Sequence, residues 1–180
     1  TNTLNVTVIN DTAVTLPAAS VSGVQTINTR AVLATAAKVT TVDARNFVGA
    51  TTFNADRNTS AVTISNLSSG QAAGIIGNGS SANADVIADY TSGTAGTLNL
   101  STGVKGGAVQ VTGATLTALN INSSGATNTL ASLAAGANVK TVNIAANTAF
   151  GVAAGANLTG AALATINVSG GATNPSATTA

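Results

Sequence analysis

A short phrase recurs along the chain, and this recurrence constrains the fold more tightly than any single motif. The phrase reads apolar, any residue, small, apolar, then Asn or Asp. It occurs as Val24-Gln25-Thr26-Ile27-Asn28, Val39-Thr40-Thr41-Val42-Asp43 and Leu116-Thr117-Ala118-Leu119-Asn120. It returns as Val139-Lys140-Thr141-Val142-Asn143 and Leu163-Ala164-Thr165-Ile166-Asn167, with looser copies at Val62-Thr63-Ile64-Ser65 and Thr97-Leu98-Asn99-Leu100. The apolar positions fall in short β-prone phrases and not at a sustained helical spacing, so strands are expected.

The apolar residue before the Asn or Asp serves as a marker. Markers stand at 27, 42, 64, 98, 119, 142 and 166. The step from 42 to 64 is 22 residues, and the last three steps are 21, 23 and 24. The gap of 34 between 64 and 98 leaves room for an extra strand at Asp85 to Tyr90. Steps of this size suit one coil of a stacked repeat, in which no coil buries its apolar face alone. The expected fold is all-β, a parallel β-solenoid (β-helix) of roughly 20–25-residue coils. The alternative is an antiparallel β-sandwich, which also has short strands and frequent turns. In the recurring phrase, Val142 is expected to face inward and Lys140 outward. The recurring Asn either forms an amide ladder along the axis or sits on the solvent face of each strand.

Between the strands lie Ser123-Ser124-Gly125, Gly103 to Gly107, Ala135-Gly136-Ala137-Asn138 and Ser169-Gly170-Gly171, all turn chemistry. Helix is expected only in two short stretches, Val32 to Ala37 and Thr129 to Ala135. Residues 1–172 read as one repetitive β domain and 173–180 as a C-terminal linker. Thr1 to Ile9 already reads as a strand and the chain opens without Met, so a piece of a longer surface protein is expected.

Composition narrows the function classes. Only 6% of the chain is charged and 2% is aromatic, while 44% is hydrophobic. An ordinary domain is about 25% charged. The apolar share argues against a disordered polar tract, and the scarcity of rings argues for a narrow core of stacked aliphatic side chains. A net charge of +1 supplies no basic stripe for nucleic acid. No apolar run of about 18 residues occurs, so no membrane insertion is expected.

His, Cys and Glu are absent. That removes the Ser-His-Asp arrangement, the thiolate nucleophile and the usual zinc ligands. The five acids are Asp11, Asp43, Asp56, Asp85 and Asp89. Glycoside hydrolysis needs two facing carboxylates, and Asp85 and Asp89 share a strand face roughly 13 Å apart. No enzyme is expected. The dense charge clusters are Asp43-Ala44-Arg45 and Asp56-Arg57. They read as surface ion pairs between neighbouring coils, with residues 43 and 65 stacked and Asp56 in a loop; the other reading is a sugar-binding or acid–base patch. Nine Asn-x-Ser/Thr triplets arise by chance in a chain so rich in Asn, Thr and Ser.

Gly23-Val24-Gln25-Thr26-Ile27-Asn28 and Val139-Lys140-Thr141-Val142-Asn143-Ile144-Ala145-Ala146 resemble repeats of bacterial S-layer proteins of the type I-secreted, repeats-in-toxin-like class. The resemblance covers about residues 20–172 and rests on this phrase plus composition. It implies a non-catalytic structural component of an extracellular surface layer at the bacterial cell surface. Its partner would be itself, through lateral lattice contacts in a homo-oligomer. Other domains would meet cell-surface polysaccharide or lipopolysaccharide. A second reading is the stalk or binding module of a secreted adhesin, with a site on a loop near Asp56, Arg57 and Tyr90.

The family often holds calcium in a Gly-Gly-x-Gly-x-Asp-x-apolar-x turn. The nearest match is Ser80-Ser81-Ala82-Asn83-Ala84-Asp85-Val86-Ile87-Ala88, which has lost all three glycines. The resemblance therefore implies calcium, with Asn83, Asp85 and Asp89 as ligands, though one such turn supplies few of the 6–8 oxygens the ion takes.

Overall fold

The computed structural model describes residues 1–153 and 158–170. Among the described residues every strand pair is parallel, so the fold is the β-solenoid and the sandwich alternative is overturned. The chain winds about seven turns around one narrow core. One long sheet holds eight strands: Thr3–Asn10, Thr26–Leu33, Thr52–Asp56, Ala72–Ile76, Ala95–Ser101, Ala118–Ser124, Thr141–Ala146 and Thr165–Ser169. A second sheet of seven faces it: Val14–Thr15, Val39–Asp43, Ala61–Leu67, Val86–Tyr90, Ala108–Thr112, Ser132–Ala134 and Leu158–Thr159. Short two-stranded pieces, Val21–Ser22 with Phe47–Val48 and Asn128–Leu130 with Phe150–Val152, close the side of some coils.

Register gives the coil length directly. In the long sheet Thr3 pairs with Thr26, Thr26 with Thr52, Thr52 with Ala72 and Ala73 with Leu98. Then Ala95 pairs with Ala118, Ala118 with Thr141 and Thr141 with Thr165. The successive steps are 23, 26, 20, 25, 23, 23 and 24 residues. Two sequence markers belong to different faces of a single coil: Ile27 lies in the long sheet and Val42 in the second. The strand expected at Asp85 to Tyr90 exists as Val86–Tyr90, and it is a regular member of the second sheet.

Alternation fills the core. The inward column of the long sheet runs Leu4, Ile27, Phe53, Ala73, Leu98, Ile121, Ile144 and Val168. Its interior members are fully buried, while Val168 in the last strand is 46% exposed. Large and small residues offset one another, Phe53 against Ala73 in one column and Ala55 against Ile75 in the next. Phe47 meets Phe53 edge to face at 5.8 Å, a preferred arrangement of aromatic pairs. The second sheet contributes Val42, Ile64, Ala88 and Val111.

Both expected helices are absent. Val32 and Leu33 end a strand, and residues 34–37 form bends and a turn. Thr129 to Ala134 falls into the strands Asn128–Leu130 and Ser132–Ala134. Alanine favours helix only weakly, and stacking on the neighbouring coil overrides so small a preference. The helix among the described residues is a single 3-10 turn, Ala44–Asn46. The expected linker at 173–180 lies outside the described residues.

Candidate functional site

The outer face of the long sheet carries two amide rows. Asn28 Nδ2 donates to Asn5 Oδ1 at 2.9 Å, Asn54 to Asn28 at 2.8 Å, and Asn122 to Asn99 at 2.9 Å. Two residues to the side, Asn143 donates to Asn120 and Asn167 to Asn143, each at 2.9 Å. An amide carries donor and acceptor together. Identical residues stacked in register therefore satisfy one another, which is the ladder form of the expectation. The first row breaks at Gly74, which pairs with both Asn54 and Asn99 in register.

Beside that break the surface is dented. A cleft of about 620 Å³ is lined by Asn5, Thr7, Asn28, Arg30, Asp56 and Arg57 on one side and by Ile76, Gly77, Asn78 and Thr102 on the other. A smaller neighbouring hollow shares Arg30, Arg57 and Asn78 with it. Its position follows from coil irregularity. The 26-residue and 20-residue steps meet at the strand Thr52–Asp56. The next coil leaves the long sheet through residues 77–85, nine residues between Ile76 and Val86. Gly77 lets the turns close up, since a Cβ there would run into the Gly103 backbone.

The charges in the cleft are unequal. Both Asp56 oxygens are taken by Arg57, Nε to Oδ1 at 2.8 Å and Nη2 to Oδ2 at 2.9 Å. That contact raises the Arg57 pKa further. Arg57 holds a left-handed φ of 47°, and Thr102 one of 58°. Non-glycine residues seldom adopt this region. Arg30 follows Thr29, whose register partner is Ala55, so it stands beside Asp56 on the adjacent strand. Its guanidinium makes no ion pair among the described residues.

Comparison with protein-family models, curated proteins and solved structures gave no match. The residues themselves therefore carry the functional argument.

The sequence-derived site residues fall in several places. Asn83 is buried at a corner, donating to Asn58 Oδ1 and to the Ile76 carbonyl, each at 3.3 Å. Asp85 accepts from the Ala108 amide at 2.7 Å, and Asp89 accepts from the Thr112 hydroxyl at 2.7 Å. Each of the three thus has its own protein partner. Among the described residues no three His, Cys, Asp or Glu side chains gather to hold a metal.

Tyr90 is not on a loop. It ends the strand Val86–Tyr90, is buried, and its hydroxyl donates to the Thr97 carbonyl at 2.8 Å. The inward place at Gly96 is empty of side chain, and the Tyr90 ring fills it. Asp56 is not in a loop either; it ends the strand Thr52–Asp56. Asp43 pairs with Ser65 in register, as expected. Both ion pairs join residues of one coil, Arg45 with Asp43 and Arg57 with Asp56, and not residues of neighbouring coils. Hydrogen bonding from Arg45 holds the Asp43 carboxyl below its ordinary pKa. Sequence reading passed over Arg30, because only coil length places it beside residues 56 and 57.

Proposed function

We propose that this chain is a non-catalytic structural segment of an extracellular bacterial surface layer, built to associate with copies of itself. The observation that carries the reading is the outer face of the long sheet. Ladders of asparagine cover much of it with uncharged polar groups, and stacked coils hold that face in a regular array. Such a face has little self-repulsion and offers repeated weak contacts, which suits lateral packing into a lattice. The separate engagement of Asp43, Asp56, Asp85 and Asp89 by their own partners also favours a structural role over acid–base work. Calcium, in this reading, acts at contacts between molecules.

Electron microscopy of the pure chain, with millimolar calcium and with chelator, tests the proposal. Ordered sheets or filaments in calcium support it. A dispersed monomer at all concentrations and in both buffers contradicts it. The second reading, a binding module of a surface adhesin, is favoured by the cleft at Arg30. Glycan binding by a chain that never assembles would select it.

A further inference from the structure

We propose that the Arg30–Arg57 cleft binds an acidic sugar, a hydroxyl-rich unit bearing a carboxylate that pairs with the Arg30 guanidinium. This site is separate from the lattice role and stands whether or not the chain assembles.

Four observations converge on the cleft. First, two of the chain's six cations lie here, with a single carboxylate between them. That carboxylate is already bound in two-point fashion by Arg57, so the charge left over is the Arg30 guanidinium. A guanidinium matches a carboxylate through two parallel hydrogen bonds. Second, the surrounding groups suit hydroxyls. Asn5 and Asn28, linked through their side-chain amides, contribute polar lining to the cleft. Asn78 has its oxygen engaged by the Ser80 and Ser81 amides, and Thr7 adds a hydroxyl.

Third, Ile76 and Gly77 add apolar surface to the lining, which suits the C–H face of a sugar ring better than it suits a bare inorganic anion. Its volume is in the range of small-molecule sites. Fourth, the cleft is built from departures from the regular coil. Its lining includes Arg57 and Thr102, two of the three non-glycine residues with positive φ among the described residues. Backbone conformations of this cost concentrate at binding sites.

The test is a titration of the intact chain, followed by amide NMR shifts, with three probes: trigalacturonate, maltotriose and inorganic phosphate. The expected result is saturable binding of trigalacturonate that shifts the amides of Arg30, Arg57 and Asn78 and weakens with added salt. Arg30→Gln should weaken it at least ~10-fold, the scale of one lost charge-assisted pair. Lys140→Gln, on the outer face elsewhere, should leave it unchanged. The melting temperature of Arg30→Gln should match that of the parent, which separates lost binding from lost fold. Equal binding of maltotriose, or unchanged trigalacturonate affinity in Arg30→Gln, would overturn the proposal. So would phosphate binding as tightly as the sugar at the same amides, which would mark a simple anion site.

Discussion

The Asn54 side-chain oxygen occupies the space that a Cβ on Gly74 would take. Gly74 has no unusual backbone angle among the positive-φ glycines, so its lack of a side chain serves space and not conformation. The glycine thus protects the Asn54 to Asn28 hydrogen bond of 2.8 Å. Gly74→Ala should destabilise the chain by about 1 kcal/mol, the scale of one net hydrogen bond. In an Asn54→Ala background the same substitution should lose its penalty. Urea midpoints of the four proteins of this cycle check the coupling, and equal penalties in both backgrounds would refute it.

Thr40 lies in an inward column between Val14 and Val62, fully buried, and its hydroxyl has no hydrogen-bond partner. A buried hydroxyl without a partner costs about 1–3 kcal/mol. Thr40→Val keeps the shape and removes that cost. It should raise stability by about 1 kcal/mol, or about 2–4 °C in melting temperature for a chain of this size. A lower melting temperature in Thr40→Val would mean that the hydroxyl is satisfied in solution.

Tyr90 is the single tyrosine, and there is no Trp, so near-ultraviolet phenolate absorbance reports on it alone. Burial raises its pKa above the ordinary value. The folded state therefore holds the phenol proton more tightly than the unfolded state does. The stability this gives is present below about pH 10, the unfolded value, and is lost as pH rises beyond it. Tyr90→Phe should remove that alkaline decline relative to the parent. It should also cost about 1–3 kcal/mol at neutral pH, because the Thr97 backbone loses its hydroxyl partner. A phenol that titrates at its ordinary value in the folded chain would contradict this.

Val142 is fully buried and Lys140 is exposed, two residues apart in one phrase. Val142→Asp should destabilise by several kcal/mol, since an unpaired buried charge is far costlier than a surface one. Lys140→Asp should stay within about 0.5 kcal/mol, as surface changes do. Chemical denaturation of both variants checks the order, and matching midpoints would show that the inward column is misplaced.

The inward and outward sense of each phrase was legible because alternation has only two outcomes on a strand. The sheet to which a phrase belongs was not. Ile27-Asn28 and Val42-Asp43 read alike, yet they occupy different faces of one coil, since both sheets ask for the same alternation. Turn length decides between them, and it varies from coil to coil. Alanine-rich segments such as residues 129–135 read as helix because local preference hides the neighbouring coil. Tyr90 read as a surface group, because nothing in the sequence shows that Gly96 leaves room for its ring. The cleft was hidden for a related reason. Arg30 and Asp56 are 26 residues apart, and they come together just past Thr29 and Ala55, the last register pair of their two strands.

The coils stack in this register with asparagine on asparagine. The chain has no Cys, so an introduced pair reports on it cleanly. Asn120 and Asn143 are direct register partners joined at 2.9 Å. Neighbouring strands lie about 4.8 Å apart, inside the roughly 4.4–6.8 Å window for a disulfide. Asn120→Cys with Asn143→Cys should close an intramolecular disulfide under mild oxidation. Asn120→Cys with Ala145→Cys, displaced by two residues to about 8 Å, should remain as free thiols. Mass spectrometry after oxidation reads both. Closure of the first pair alone is the predicted result; closure of the second pair in preference, or of both equally, would contradict the stack.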